Sequence, residues 1–573
     1  MRLFFRRMAR TTVWLMVAGW GLVFTAGDLT ADELGGASPP KPYTDARPTR
    51  NTDYKRWGQY AVKRLAVGDL AGAEEALRRL IPFSPEDDDL TLLLASVTAA
   101  AGDREEAESL VEAALAYGLP PERVVVGPEV IRGPLRGTAA YQRILESFRG
   151  RPIHGPMLGA VTDDSARVWL RTAEPTRVEL SAVAIGSDGQ GEADTERVGS
   201  SPIRVVGETT AATDRTAVLQ LAGLEPNRRY RYRLSIGGEP SISGGEFRTF
   251  GPPGEATRFT LAFGGGAGYH PPQERVWETI RGRDPDAVLL LGDNVYSDDP
   301  ETTQVQQYCY YRRQSRPEFR KLLATRPVYS IWDDHDFGTD DSWGGPDVET
   351  PAWKRTVWNT FRENWVNPGY GGGEALPGTW YDFSIGDVDF FMLDGRYYRT
   401  DSGRFGGQPA AQPTMLGPEQ NRWLRERLLA SRGTFKVIVS PVPWDFRAKA
   451  GTAGLDTWRG FAAERDALFR FLSDRQIDGV VLLSADRHRS DAWKIEREGD
   501  YPLYEFNSSR LTNDHQHPTM PEAIFSYNTK QSFGWVTFDT RGEEPSVRYE
   551  VISIDNEAVH ELVVPLSELR SGR

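Results

Sequence analysis

After residue 258 the chain repeats one pattern: a short apolar run that stops at acidic or basic side chains. Residues 259–263 run into Gly264-Gly-Gly-Ala-Gly-Tyr269, and 287–291 run into Gly292-Asp293-Asn294-Val295-Tyr296. Residues 328–332 lead to Asp333-Asp334-His335-Asp336, 390–393 to Asp394-Gly395-Arg396, and 479–483 to Ser484-Ala485-Asp486-Arg487-His488. Runs of this length read as buried strands, with amphipathic helices between them over 274–283, 317–326, 418–431 and 461–475. Such alternation makes an α/β fold, in which ligands bind outside the carboxyl ends of the strands. One Gly-Asp is a common turn, but four acid-bearing ends in one domain exceed what turns explain. Carboxylates gathered at one edge repel each other unless cations lie between them, so a polymetal site is expected.

Composition narrows the metal. Cys309 is the only cysteine, which excludes an intrachain disulfide and thiolate-rich zinc sites. Histidine occurs at only 7 positions. Oxygen ligands must dominate, which favours calcium, magnesium or ferric iron. A formal net charge of -13 excludes nucleic acid binding through a general basic field. A serine hydrolase is excluded by the lack of a Gly-x-Ser-x-Gly elbow after a strand.

Upstream of the α/β segment the chain changes character three times. Residues 1–31 read as an export signal: Arg6, Arg7 and Arg10 precede an apolar stretch and small residues. The expected location is the periplasm or cell envelope, with no stable membrane span once the signal is cleaved. Residues 32–54 form a linker. Over 55–149 a helical pattern recurs with Gly68 and Gly102 34 residues apart, which resembles tetratricopeptide repeats. This region is either a docking platform for a protein partner or a helical spacer. Residues 150–251 alternate with period two, and Leu224-Glu-Pro-Asn-Arg-Arg-Tyr230 resembles a fibronectin type III-like sandwich.

The strand-end motifs of residues 252–573, taken together and in order, resemble the alkaline phosphatase D (PhoD-like) branch of the calcineurin-like metallophosphoesterases. They are Gly292-Asp-Asn-Val-Tyr296, Trp332-Asp-Asp-His-Asp336, Leu393-Asp-Gly-Arg396 and Ser484-Ala-Asp-Arg-His488. The resemblance implies a four-layer α/β sandwich, two β-sheets flanked by helices, and hydrolysis of phosphate mono- and diesters by in-line attack of a metal-bound hydroxide. It implies ferric iron with calcium, or another pair of hard divalent ions. Position by position it makes Asp293 a bridging carboxylate and Tyr296 a ligand to iron. Asp334 matches a metal-ligand position and His335 the transition-state histidine, while Asp486 and His488 match the closing metal-ligand motif. Arg487, Arg396 and Asn294 are candidates to grip phosphate oxygens, with an Arg396–Asp394 ion pair as the other reading of Arg396. Asp333 and Asp336 stand between ligand, supporting contact and loop cap, and the pair His515 and His517 reads as an idle loop.

One departure stands out. The family's first strand usually ends in a turn whose cysteine thiolate binds iron, whereas here Gly266 occupies that place. His270, a water or a backbone nest are the available substitutes, and a cysteine restored at Gly266 is expected to tighten iron binding. The rival to an esterase is accordingly a degraded relative that binds phosphorylated polymers while the repeats dock a partner.

Overall fold

The computed structural model describes residues 54–186, 201–406 and 408–572. The expected signal, and the linker except Tyr54, lie outside them. No helix among the described residues is long and apolar enough to cross a membrane.

Two large sheets organise the molecule. The nine-stranded sheet runs in the order Ala558–Pro565, Ser546–Ser553, Ser532–Asp539, Arg258–Gly264, Ala287–Leu291, Val328–Ile331, His154–Gly159, Ser165–Arg171 and Thr216–Ala222. The seven-stranded sheet runs Tyr381–Ile385, Val388–Met392, Phe435–Val439, Val480–Ser484, Leu503–Ser508, Ser490–Ile495 and Phe525–Tyr527. Side chains alternate across a strand. Leu289 and Leu291 therefore join the core between the sheets, while Val288 and Leu290 face a second cluster with helix residues Trp277, Ile280 and Leu322. Phe390 closes the space between the sheets against Phe259 and Phe538, at ring-centroid distances of 6.2 and 6.0 Å.

The acid-bearing strands are mutually parallel within each sheet. Ala287–Leu291 pairs in parallel with both Arg258–Gly264 and Val328–Ile331. Val388–Met392, Phe435–Val439, Val480–Ser484 and Leu503–Ser508 form a second parallel set. Parallel pairing sends the carboxyl ends of neighbouring strands to the same edge, where the motifs meet.

Two expected segments are joined to the α/β region. The strands of 150–251 fall in two sheets that share one apolar core, with Val168, Leu170 and Leu219 from one and Val178, Leu180 and Leu234 from the other, and the first of these sheets is not separate. His154–Gly159, Ser165–Arg171 and Thr216–Ala222 continue the nine-stranded sheet, with His154–Gly159 parallel to Val328–Ile331. The remaining strands, Thr176–Ala184, Ile203–Thr209, Arg229–Ile236 and Glu239–Arg248, form their own four-stranded sheet. The Leu224–Tyr230 stretch makes a tight corner in which the Glu225 N–H donates to the Tyr230 hydroxyl at 2.8 Å.

The 34-residue step becomes two like helix corners. Gly68 and Gly102 take left-handed φ of 79° and 99°, and Asp69 and Asp103 then cap helices Leu70–Leu80 and Arg104–Ala116 by accepting N–H bonds at 2.9 and 3.0 Å. These helices are not a detached platform. Trp57, Leu90 and Leu93 share one buried cluster with Trp277, Tyr308 and Phe319 of the α/β region. Buried Asp89 binds Arg123 at 2.6 Å and is also held by Tyr308 and Arg312. Burial of a hydrogen-bonded carboxylate across the junction ties the two regions into one unit.

Candidate metal centre

The strand ends open into a cavity of about 830 Å³. Its wall includes Tyr296, Asp334, His335, Asp486, Arg487 and His488, so six of the nine sequence candidates reach it. Asp293 lies immediately behind, and the Tyr296 hydroxyl donates to its Oδ2 at 3.0 Å. Ligand atoms of Asp293, Asp334 and His335 lie within 4.8 Å of one another, as do those of Asp334, Asp340 and Asp341. Asp334 thus belongs to two adjacent acidic groups.

The backbone is strained where these side chains leave it. Asp293, Asp298, Asp341, Asp486 and His488 have φ of 54°, 51°, 57°, 67° and 47°. Left-handed backbone costs a non-glycine residue about 1–2 kcal/mol, and such conformations cluster at functional sites.

Charge is concentrated without full compensation. Burial, with Asp334 and Asp333 close by, raises the Asp293 carboxyl well above its usual 3.8, and His335 only partly opposes this. Asp293 Oδ1 and Asp333 Oδ2 are buried with no hydrogen-bond partner among the described residues. Burial and neighbouring Asp293 likewise push the Tyr296 phenol well above 10. Burial disfavours a charged His335, but Asp298, Asp334 and Asp293 outweigh it and raise the imidazole well above 6.5. His335 Nδ1 meets Asp298 Oδ1 at 2.5 Å, and its ring lies 4.2 Å from that of Tyr296. Asp486 shifts the opposite way from Asp293: although burial opposes it, Lys449 at 3.9 Å and Arg487 at 3.2 Å hold it below the usual range.

Two proposed phosphate grips are elsewhere engaged. The Asn294 amide donates to Ile331 O at 2.8 Å and Asp336 Oδ2 at 3.2 Å, which ties two strand ends together. Arg396 is fully buried and donates to Asp333 at 2.5 Å and to both oxygens of Asp456 at 2.8 and 3.0 Å. Its guanidinium is a strut under the site, unavailable to substrate. Asp394 is also not its ion-pair partner, since that carboxylate accepts from Trp332 Nε1 and the N–H groups of Thr379, Arg396 and Tyr397. Asp336 accepts backbone bonds from Val295 and Asp333 at 2.9 and 3.1 Å, and with Asp333 it forms a capping box for the one-turn helix Asp334–Phe337. Arg487 alone of the three grip candidates lines the cavity.

The glycine turn is sealed. Gly266 has φ 66°, and a Cβ there would lie 2.3 Å from Ser509 O. The N–H groups of Gly265 and Ala267 are spent on Ser508 O and Asp293 O, which leaves little of a backbone nest. His270 binds Asp514 at 2.5 Å.

Sequence motifs missed Asp298, Asp341, Lys449, Asp456 and Asn513. Asp298 follows Tyr296 by two residues in the same loop and was open to inference; Lys449 lies at a bend and Asp456 ends the short 3-10 helix Thr452–Asp456, neither with a periodic signal. Asn513 Nδ2 donates to the Tyr296 hydroxyl at 2.7 Å. It brings with it His515 and His517, whose rings lie 5.0 and 5.2 Å from His488 and 4.8 Å from each other. Burial and His517 lower His488 well below 6.5, and burial and Arg487 push His517 down to about 3, so these imidazoles stay neutral at pH 7.

Comparison with known proteins now decides the family. The sequence profile of the PhoD-like phosphatases matches residues 261–554, which is more than half the chain. The chain belongs to the PhoD-like phosphatase family. A second profile, a domain of unknown function (DUF7800), matches 151–249. Alkaline phosphatase D of Bacillus subtilis (strain 168) is 26% identical over 307 residues, covering 47% of this chain and 52% of the relative. The chain thus spans about half the length of that curated relative. In fold it is similar to a solved PhoD, with a TM-score of 0.57 at 19% identity over 71% of this chain and 88% of that one. It is also similar to purple acid phosphatase PPD1 of yellow lupin (Lupinus luteus), with a TM-score of 0.51 at 12% identity over 72% and 75%. Both likenesses cover more than the PhoD-like segment, in keeping with the continuous nine-stranded sheet.

Proposed function

We propose that this chain is an exported, metal-dependent phosphoric ester hydrolase acting on phosphate mono- or diesters. The observation that carries the reading is the convergence of Asp293, Asp334 and His335, with a buried Asp293 oxygen that no described residue hydrogen-bonds. Unpaired buried carboxylates are costly, and the donors are oxygen and imidazole, which suits ferric iron with calcium or another pair of hard divalent ions. Asp293, Tyr296, Asp334, Asp486 and His488 are the residues assigned to hold them. Bound cations would neutralise phosphoryl oxygens and acidify a coordinated water.

The chain's own residues do the rest. Asp298 occupies His335 Nδ1, so the remaining Nε2–H is the group that protonates a departing alkoxide or phenoxide. Arg487 and Lys449 line the same cavity and present positive charge to the phosphoryl oxygens. The α/β sheets with their helices are read as the family's four-layer sandwich, the helical segment as tetratricopeptide-like, and the DUF7800 segment as fibronectin type III-like. The basic and apolar leader supports delivery to the periplasm or cell envelope. A degraded phosphopolymer-binding site is disfavoured, because Asp293, Asp334 and His335 stay convergent although the thiolate position is glycine.

The test is turnover of 4-nitrophenyl phosphate and bis(4-nitrophenyl) phosphate before and after chelation, with ferric, calcium and manganese ions restored singly and in pairs. Chelation and Asp293→Ala should each cost about 10³-fold or more, since the cations supply several kcal/mol of charge stabilisation. Full activity in folded Asp293→Ala would refute the site.

A further inference from the structure

The first described helix, Tyr54–Ala66, reaches the catalytic cavity from a region that the PhoD-like profile does not include. Arg56 and Gln59 line the cavity wall. The Gln59 amide donates to Tyr296 O, to Ser297 O at 3.2 Å and to Cys309 Sγ at 3.3 Å. Arg56 lies 3.7 Å from Asp298, and one turn beyond Gln59, Lys63 lies 3.2 Å from Asp299. Every one of these acceptors lies on or beneath the irregular loop 296–299. That loop carries the Tyr296 hydroxyl, which donates to Asp293, and the Asp298 carboxylate, which holds His335.

The loop needs such support for a physical reason. It follows strand Ala287–Leu291 but is neither strand nor helix, so its buried carbonyls have no ladder to satisfy them. Asp298 and Asp299 are adjacent and almost fully buried, a like-charge pair that is stable only beside cations. One helix face answers both demands, with Gln59 on the carbonyls and Arg56 and Lys63 on the carboxylates.

We infer that helix Tyr54–Ala66 is a working part of the phosphoesterase site, with Gln59 and Arg56 as positioning residues that fix Tyr296 and the Asp298–His335 pair. The inference deepens the hydrolase reading and rests on it for its kinetic arm. Displacing a catalytic group by about 1 Å costs up to about 10²-fold in rate, so the contribution is a large one. It falls on kcat, because Gln59 acts through the loop.

The experiment compares wild type with Gln59→Leu, Gln59→Glu, Arg56→Met and Arg56→Lys, each checked for metal content and melting temperature. Gln59→Leu and Gln59→Glu remove both N–H donors at nearly constant volume. Each should lower kcat about tenfold to a hundredfold while KM changes less than about threefold. Across a series of aryl phosphates the loss should grow as the leaving group becomes poorer, because His335 protonates it; a purely structural lesion lowers all members equally. Arg56→Met should behave alike and Arg56→Lys should restore most of the rate. A second readout needs no turnover: amide hydrogen exchange over 294–302 should accelerate about tenfold or more in Gln59→Leu, with the sheets unaffected. Folded, metal-loaded Gln59 variants with wild-type kcat and wild-type exchange in that loop would overturn the inference. If wild type hydrolyses no ester while the loop still loosens, the hydrolase reading fails and the positioning role stands.

Discussion

Replacing Gly266 with alanine tests whether the glycine turn really excludes a side chain. The residue sits at φ 66°, and its added Cβ would approach Ser509 O to 2.3 Å and Ser509 C to 3.1 Å. Two costs follow. Left-handed backbone penalises alanine by about 1–2 kcal/mol, and overpacking against a backbone carbonyl adds about 1–3 kcal/mol. Gly254 is the internal control, since it has φ 83° but nothing within 4 Å of an added Cβ, so it carries only the first cost. At about 2 °C per kcal/mol for a large unit, Gly254→Ala should melt about 2–4 °C low and Gly266→Ala about 4–10 °C low. The Gly266 change should also reduce turnover, because Gly266 O accepts the Asn513 N–H at 3.2 Å and Asn513 in turn holds the Tyr296 hydroxyl. Differential scanning calorimetry on both variants, with ester hydrolysis alongside, gives the comparison. Equal melting of the two would mean that the turn has slack, and the exclusion argument would fail. The same geometry overturns the expectation that Gly266→Cys restores an iron thiolate: its sulfur would start from a Cβ that has no room.

Three further outcomes follow from the geometry. Asp298→Asn should lower kcat about 10–10²-fold at unchanged metal content by releasing His335, with esters of poor leaving groups hit hardest; equal loss across leaving groups would remove His335 from proton transfer. A truncation beginning at Gly150 should be insoluble or molten, because it uncovers the partners of Trp57, Leu90 and Leu93, each worth about 1.5–3 kcal/mol when buried; a soluble, active truncation would show that the helices are dispensable. His154, fully buried, accepts from Arg171 through Nδ1 and meets Ser315 through Nε2, both at 2.9 Å, and burial and Arg171 hold it well below 6.5. Its folded pKa is depressed, so below about pH 6.5 the unfolded chain binds a proton that the native state refuses, and stability falls by about 1.4 kcal/mol per pH unit. His154→Gln should flatten that part of the melting-temperature profile between pH 6.5 and 5, and an unchanged slope would rule the residue out as its source.

Much of the chemistry was legible because it depends on local order. Apolar runs ending in Asp293, Asp334 and Asp486 predict parallel strands, and parallel pairing within each sheet sends neighbouring carboxyl ends to one edge, while packing of the two sheets brings the Asp486 end to the others. The corners at Gly68 and Gly102 were equally readable, since a left-handed glycine followed by a capping aspartate is a local device. Side-chain allegiance was not. Arg396 carries the same charge whether it grips a phosphate or braces Asp333 and Asp456, and only the folding of chain segments 63 and 60 residues away decides which. Asn294 turned inward for the same reason, because Asp336 lies 42 residues away in sequence and 3.2 Å away in space.

How the segments join was the least legible feature of all. Period and composition change near residues 150 and 251, so the sequence marks three segments, but one sheet runs across the second mark. His154–Gly159 adds to Val328–Ile331 because an open strand edge must find donors and acceptors somewhere, and Trp57 buries against the α/β helices because its own helices offer too little apolar cover. Residue types and their order along the chain determined that acids and histidines would crowd the strand ends. Which of them face the cavity, which brace it, and that a helix some 230 residues upstream would hold the Tyr296 loop, are consequences of long-range packing, where each contact depends on every other being made.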